Sequence, residues 1–187
     1  MDCVYQPLKI NSMKNLKIIT LSSLLLIAFI SLYVNSPIKI FKQSKHAAVS
    51  DCEINSSPSI QMFFYIKKYA AQFKIPEAYA FSLAYQETRY QGPLDLKYNH
   101  MQTSSAGAIG PMQIMPSTAK LVLGKSIPNA HLMNNIKLNV FISMKLIRML
   151  YTQYKNWGLV FGAYNTGRPC INQYARNILN KQYYWIN

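Results

Sequence analysis

Acidic side chains are scarce in this chain, and their scarcity limits the chemistry that it can carry. Among 187 residues, six Asp and Glu stand against 20 Lys and Arg, a formal net charge of +14. The acids are Asp2, Asp51, Glu53, Glu77, Glu87 and Asp95, so residues 96–187 contain no carboxylate side chain. We therefore expect no cage of carboxylates around a hard metal ion, and any carboxyl catalyst must come from these six.

Cysteine and histidine are equally sparse and widely spaced. They occur at Cys3, Cys52, Cys170, His46, His100 and His131. No spacing typical of a zinc site joins them, and we expect neither a metal nor another cofactor. In an oxidising compartment Cys52 and Cys170 could form a disulfide; two unpaired buried thiols are the alternative.

The apolar content excludes a disordered or collagen-like chain. Half of the residues are hydrophobic and 13% are aromatic, while seven glycines and nine prolines follow no period. This supply of apolar side chains is enough for the core of one domain of roughly 120–140 residues.

Residues 18–34 form a charge-free apolar run that follows Lys9, Lys14 and Lys17. Its length lies between the core of a signal peptide and a short transmembrane helix. We interpret residues 1–36 as an N-terminal membrane anchor, with a cleaved signal peptide as the alternative. The true start is Met1 or Met13. Either interpretation places the rest of the chain in the cell envelope, in the periplasm or tethered to the inner membrane.

Residues 37–57 have the polar composition of a linker, and residues 58–187 have the pattern of a mostly α-helical domain. Apolar spacing of three and four residues predicts helices over 60–73, 77–90, 136–154, 157–164 and 169–179, with a short helix from Pro116 to about Gly124. Ser59 is the predicted cap of the first of these helices. Lys97–Thr103 is the one candidate for a small hairpin.

Three segments combine side chains suited to chemistry on sugars. Glu87 lies at the end of an apolar helix. These apolar surroundings would desolvate the Glu87 carboxyl group and raise the pKa of Glu87. Residues 104–116 run through small residues into Met-Gln-Ile-Met-Pro, where Gln113 offers an amide for sugar hydroxyls. Tyr164 and Asn165 precede a glycine turn. Taken singly, each segment could equally serve packing or turn formation.

Together the segments resemble the lytic transglycosylases, the soluble-lytic-transglycosylase-like domains of the lysozyme superfamily. The resemblance covers about residues 58–180. It rests on Glu-Thr-Arg-Tyr at 87–90, Ala-Gly-Ala-Ile-Gly-Pro-Met-Gln-Ile-Met-Pro at 106–116, Asn-Ile at 135–136 and Ala-Tyr-Asn-Thr-Gly at 163–167.

The resemblance implies a lysozyme-like helical fold around a glycan cleft. It also implies cleavage of peptidoglycan between N-acetylmuramic acid and N-acetylglucosamine without water, which leaves 1,6-anhydro ends. Glu87 would act as general acid and then as base. Five residues would line the cleft and bind substrate: Ser105, Gln113, Met115, Tyr164 and Asn165.

The chain departs from the family pattern in three places. The stretch between Glu87 and Ser105 is longer than usual, so residues 92–103 form an insert: a lid, a substrate contact or a surface excursion. Pro111 and Thr166 replace the commoner Leu and Ala without loss of a functional group. Asn139 and Val140 stand where the family often has glycine, so packing there is expected to differ.

Other functions remain open at this stage. If the insert folds back, Asp95 could activate water and make a hydrolysing muramidase like goose-type lysozyme. A non-catalytic wall-binding component of an envelope-spanning machine is a second alternative. Nucleic acid is not an expected partner, because the lysines are scattered and no binding motif accompanies them. The expected partners are peptidoglycan, the membrane through residues 18–34, and a secretion or conjugation machine.

Overall fold

The computed structural model describes residues 56–181, which form seven α helices joined by short loops. Their bounds are α1 Pro58–Phe73, α2 Glu77–Thr88, α3 Pro116–Leu123, α4 Asn129–Asn134, α5 Ile136–Tyr154, α6 Trp157–Thr166 and α7 Gln173–Asn180. The predicted anchor, nearly all of the linker and Cys52 lie outside the described residues. None of the described helices is long and apolar enough to cross a membrane.

The prediction of a mostly helical domain is confirmed, and helix caps explain several boundaries. The Ser57 side chain, rather than that of Ser59, accepts a hydrogen bond from the backbone N–H of Ile60 and caps α1. Asn135 caps α5 in the same way through the N–H of Leu138. Gly124 ends α3 with a left-handed backbone, which glycine adopts without steric cost. Helix α4 was not predicted, because six residues are too few for a clear periodicity.

Helix α5 lies at the centre of the fold and packs on α1, α6, α3 and α4. Its buried face includes Val140, Met144 and Ile147, as the spacing of its apolar residues predicted. Aromatic rings fill the contact with α1, where Phe141 lies edge-on to Tyr69 at 5.3 Å between ring centroids. Val140, Met144 and Ile147 of α5 accordingly belong to the hydrophobic core of the domain.

The prediction of a hairpin over Lys97–Thr103 is wrong. Residues 56–181 contain isolated bridges in place of strands: Thr103 pairs with Ile109, and Ile109 pairs with Ile114. The backbone N–H of Tyr98 instead donates to the carbonyl of Asp95 in a turn, so it cannot join a strand ladder.

Helix α6 approaches the segment that precedes α7 so closely that only glycine fits at one position. A Cβ atom on Gly162 would lie 1.5 Å from the carbonyl oxygen of Cys170, far inside van der Waals contact. Cys170 is buried and disulfide-bonded. Its predicted partner Cys52 lies outside the described residues, so that pairing stays a prediction.

We expect Gly162→Ala to destabilise the fold by at least about 3 kcal/mol, because the methyl group meets backbone that cannot move aside. Gly158→Ala is the matched control on the same helix, since its Cβ would meet the flexible end of Ile171 at 3.0 Å. Both changes gain helix propensity of up to about 1 kcal/mol. Urea unfolding of the two variants measures the difference; equal stability would contradict the close approach.

Candidate active site

Glu87 lies in the last turn of α2, and its carboxyl group is largely withdrawn from water. Burial raises its pKa from 4.5 to about 7, partly offset by a hydrogen bond from Tyr174, which favours the ionised form. Near neutral pH the group is therefore populated both with and without its proton. A carboxyl group in this condition can give up a proton and take one back.

Tyr174 is the functional residue that sequence reasoning missed. Its hydroxyl donates to Glu87 Oε1, and its own pKa is raised, first by burial and then by the negative charge of Glu87. The residue lies in the first turn of α7, whose N-cap Asn172 accepts from the N–H of Ala175. The apolar spacing predicted a helix over 169–179, but it did not show that Tyr174 would face a residue 87 positions away.

Tyr164 is held near Glu87 by two hydrogen bonds to other elements. Its hydroxyl donates to the carbonyl oxygen of Met112 at 2.8 Å, and the hydroxyl of Ser143 lies 3.0 Å away. Because the single phenolic proton goes to Met112, Ser143 is the donor in the second bond. Burial and the charge of Glu87 raise the pKa of Tyr164 well above its usual range. The ring is therefore fixed, and its hydroxyl stays protonated beside the carboxyl group.

The small-residue segment forms a tight double turn between α2 and α3. Ile109 and Ile114 exchange two backbone hydrogen bonds of 3.0 Å, and Gly107 and Gly110 adopt positive φ angles. Gln113 also has a positive φ of 48°, and its amide nitrogen donates to the carbonyl of Gly110 at 2.9 Å. This fixes the Gln113 amide within the loop.

Two other predicted cleft residues lie at the edges of this loop. Ser105 is exposed in the turn that precedes Ile109, and Met115, partly exposed, caps α3. Asn165 is exposed at the end of α6, where its carbonyl accepts from the amide of Asn172 at 3.2 Å. The structure thus brings Tyr164 near enough to Glu87 for the carboxylate charge to raise the pKa of the tyrosine. Gln113 is next in sequence to Met112, whose carbonyl accepts from Tyr164.

Asn139 fastens the loop to α5 and is fully buried. Its amide nitrogen donates to the carbonyls of Ile109 at 2.9 Å and Leu132 at 3.0 Å, and its oxygen accepts from the N–H of Met112 at 2.9 Å. The Asn139 side chain therefore joins the loop to α5 and α4 through three buried hydrogen bonds. A Cβ at Gly110 would lie 2.5 Å from the Asn139 amide, so the two residues require each other.

Thr88 fastens the opposite side of the loop. Its hydroxyl donates to the carbonyl of Pro111 at 2.8 Å and shares a bond of 2.9 Å with the hydroxyl of Tyr98. Tyr98 belongs to the insert and packs edge-on to buried Tyr90 at 5.0 Å between ring centroids. The insert is thus attached next to Glu87 through the neighbouring residue.

The described residues offer no cluster of three His, Cys, Asp or Glu side chains that could hold a metal ion. The arrangement that they do offer is one proton-exchanging carboxyl group with two oriented tyrosines. Such a site is suited to acid and base steps on a bound substrate.

We expect Tyr174→Phe to raise the pKa of Glu87 further above about 7, because the lost hydrogen bond favours the carboxylate form. The titration of the Glu87 side-chain carbon, followed by NMR on selectively labelled protein, measures this shift. Tyr154→Phe, at the far end of α5, is the control and leaves the titration unchanged. An unaltered or lower pKa in Tyr174→Phe would contradict the contact.

We expect Asn139→Ala to destabilise the fold by about 2–4 kcal/mol, since two carbonyls and one N–H lose their buried partner. Amide hydrogen exchange of residues 109–113 should rise as well. Asn134→Ala, at an exposed position in α4, is the matched control. A loop that stays protected in Asn139→Ala would show that the side chain does not hold it.

Comparison with known proteins places this site in a family. The model of the transglycosylase SLT domain matches residues 64–186, more than half of the chain. No significant match was found among curated proteins.

Solved structures with similarity to this chain include lytic transglycosylase Slt of Pseudomonas aeruginosa, an inactive mutant, at 22% identity with a TM-score of 0.48, covering 64% of this chain. Another is the 70-kDa soluble lytic transglycosylase of Escherichia coli, at 26% identity and a TM-score of 0.48, covering 62% of this chain. A third is a 70-kDa soluble lytic transglycosylase in complex with bulgecin A, at 26% identity, a TM-score of 0.49 and the same 62% coverage.

The chain covers only 18% of the length of each of these solved chains. The family assignment depends on the family model, whose match contains Glu87, the loop with Gln113, and both tyrosines of the site. This chain belongs to the family of the transglycosylase SLT domain.

Proposed function

We propose that this protein is a peptidoglycan lytic transglycosylase that cleaves the β-1,4 bond between N-acetylmuramic acid and N-acetylglucosamine. The observation that carries the proposal is the Glu87 carboxyl group, with its pKa near 7 and its bond from Tyr174. Membership of the SLT-domain family supports the same reaction class.

In the first step protonated Glu87 donates its proton to the glycosidic oxygen, and the bond from that oxygen to the muramyl anomeric carbon breaks. Burial favours the protonated form that this step needs. Tyr174 then stabilises the carboxylate that remains, because its hydroxyl donates to Glu87 Oε1. The leaving glucosamine unit keeps the transferred proton as a hydroxyl group.

In the second step the 6-hydroxyl oxygen of the same muramyl sugar bonds to its anomeric carbon, and Glu87 takes the hydroxyl proton. Glu87 returns to its starting state and no water is consumed. The product is the 1,6-anhydro sugar. Tyr164, fixed by Met112 and Ser143 and kept protonated, would orient the reacting sugar.

The positions of the other described carboxylates support a mechanism with one carboxyl group. Glu77 lies ten residues before Glu87 on α2, about 15 Å away at 1.5 Å per residue, and pairs with Lys67 at 3.3 Å. Asp95 lies in a turn of the insert, where its backbone N–H donates to the carbonyl of Gly92 and its carbonyl accepts from the N–H of Tyr98. A hydrolase of the usual type needs a second carboxylate across the substrate from the acid.

The other residues proposed to bind substrate in the cleft lie in the loop or are exposed at the end of α6. Gln113, whose amide nitrogen is bound within the loop, would present its amide oxygen to sugar hydroxyls or to the N–H of N-acetyl groups. Met115 would contact an apolar sugar face. Ser105 and Asn165, both exposed, would bind substrate at the margins.

We further propose that the protein works in the cell envelope, tethered by residues 18–34 or released from them into the periplasm. The support is the apolar run and the basic balance of residues 46–187, with 14 Lys and Arg against five Asp and Glu. Such a surface is attracted to the carboxylates of peptidoglycan stem peptides. A secretion or conjugation machine that crosses the wall is the proposed larger partner.

Digestion of defined peptidoglycan tests the function. We expect the wild type to release fragments with 1,6-anhydro ends, lighter by one water than hydrolytic products. Glu87→Gln should lower the rate at least about a hundredfold, because it cannot exchange a proton. Glu77→Gln is the matched control and should retain activity. Mass spectrometry of the products measures both results.

The outcomes separate the alternatives. Products with an added water would favour a muramidase like goose-type lysozyme. Undiminished lysis by Glu87→Gln would show that Glu87 is not the catalyst. Absence of any cleavage by the wild type would favour a wall-binding role.

A further inference from the structure

The insert exposes two leucines on a turn that is itself firmly held. We call residues 92–98 the leucine loop. Leu94 is 87% exposed and Leu96 is 84% exposed, although a single exposed apolar side chain needs no explanation. Two of them on one short turn, with the exposed Lys97 beside them, form an apolar tip with a basic flank.

Hydrogen bonds at both ends keep this tip in place. The Ser59 hydroxyl donates to the carbonyl of Pro93 at 3.1 Å, and the Tyr98 hydroxyl bonds to Thr88 at 2.9 Å. Within the loop the N–H of Asp95 donates to the carbonyl of Gly92, and that of Tyr98 to the carbonyl of Asp95. The backbone of the leucine loop is therefore held by hydrogen bonds while Leu94 and Leu96 are exposed to solvent.

The acidic residue of the leucine loop is less exposed than the tip. Asp95 is half-buried, whereas Leu94, Leu96 and Lys97 are exposed. Two exposed leucines beside an exposed cation have the chemistry of a segment that enters the headgroup region of an anionic bilayer.

The loop also lies where the chain enters the domain. Ser59, in the first turn of α1, contacts the loop through Pro93, and the Tyr90 hydroxyl donates to the carbonyl of Ser59 at 2.7 Å. Residues 35–57 connect this point to the apolar run 18–34, and even fully extended they reach at most about 80 Å. The end of the domain that carries the leucines is thus the end tied to the proposed anchor.

We propose that the leucine loop is a second membrane contact, in which Leu94 and Leu96 enter the surface of an anionic phospholipid bilayer and Lys97 meets its headgroups. The proposal goes beyond the catalytic function and rests on the proposed anchor. Because Thr88 joins the loop to the residue beside Glu87, this contact fixes the height and orientation of the candidate active site above the membrane.

Tryptophan fluorescence in lipid tests this contact on the full chain. Leu96→Trp and Leu121→Trp are matched variants, because Leu121 is also an exposed leucine, at 68%, but belongs to helix α3. Each is reconstituted with phosphatidylethanolamine–phosphatidylglycerol liposomes that carry brominated acyl chains. After subtraction of wild-type fluorescence, we expect quenching at least about threefold greater for Leu96→Trp than for Leu121→Trp.

A second substitution controls for the possibility that the introduced tryptophan itself binds lipid and causes the quenching. Adding Leu94→Ser to Leu96→Trp should at least halve the quenching, since one of two inserting side chains is lost. Equal quenching of the two single variants would overturn the proposal. So would a blue shift of the Leu96→Trp emission that depends on protein concentration in lipid-free detergent, which would assign the tip to a second copy of the chain. Peptidoglycan digestion by the same variants reports separately on the catalytic proposal.

Discussion

The balance between burial and one hydrogen bond at Glu87 is the constraint on which the candidate site depends. Burial raises the pKa of this carboxyl group because it disfavours the charged form, which is the form that acts as a base. The bond from Tyr174 offsets part of that effect and leaves the pKa near 7. Helix α7 must therefore be held against α2 in the position that places the Tyr174 hydroxyl on the Glu87 carboxyl group. The close approach of Gly162 to Cys170, just before α7, contributes to that placement.

The loop of residues 104–116 also depends on hydrogen bonds from other elements, because its backbone groups are bound by side chains from three helices. Asn139 of α5 binds Ile109 and Met112, Thr88 of α2 binds Pro111, and Tyr164 of α6 binds Met112. A small-residue loop has little side-chain packing of its own, so these bonds replace it. The Tyr164 hydroxyl binds the loop at Met112, while burial and the charge of Glu87 raise its pKa. One residue therefore interacts with both the loop and the carboxyl group.

The sequence allowed the helices and the carboxyl catalyst to be predicted, because those depend on local or compositional information. Helix α5 has a long apolar period and an Asn135 cap, and Glu87 stood out among few acids. Tyr174 and Asn139 were missed as site residues because their roles depend on contacts 87 and 30 residues away. The hairpin prediction failed because Tyr98 uses its backbone in a turn and its side chain on Thr88.

A strongly basic chain would be expected to lower the pKa of a lone carboxyl group, yet the pKa of Glu87 is raised. Two cations near the end of α2 lie over the ring of Tyr85, Arg89 at 5.2 Å and Lys181 at 3.5 Å. Positions two residues apart on a helix point to nearly opposite sides, so the Tyr85 ring lies on a different side of α2 from Glu87. Burial and Tyr174 then determine the pKa of Glu87, and the basic surface remains available for long-range attraction to anionic partners.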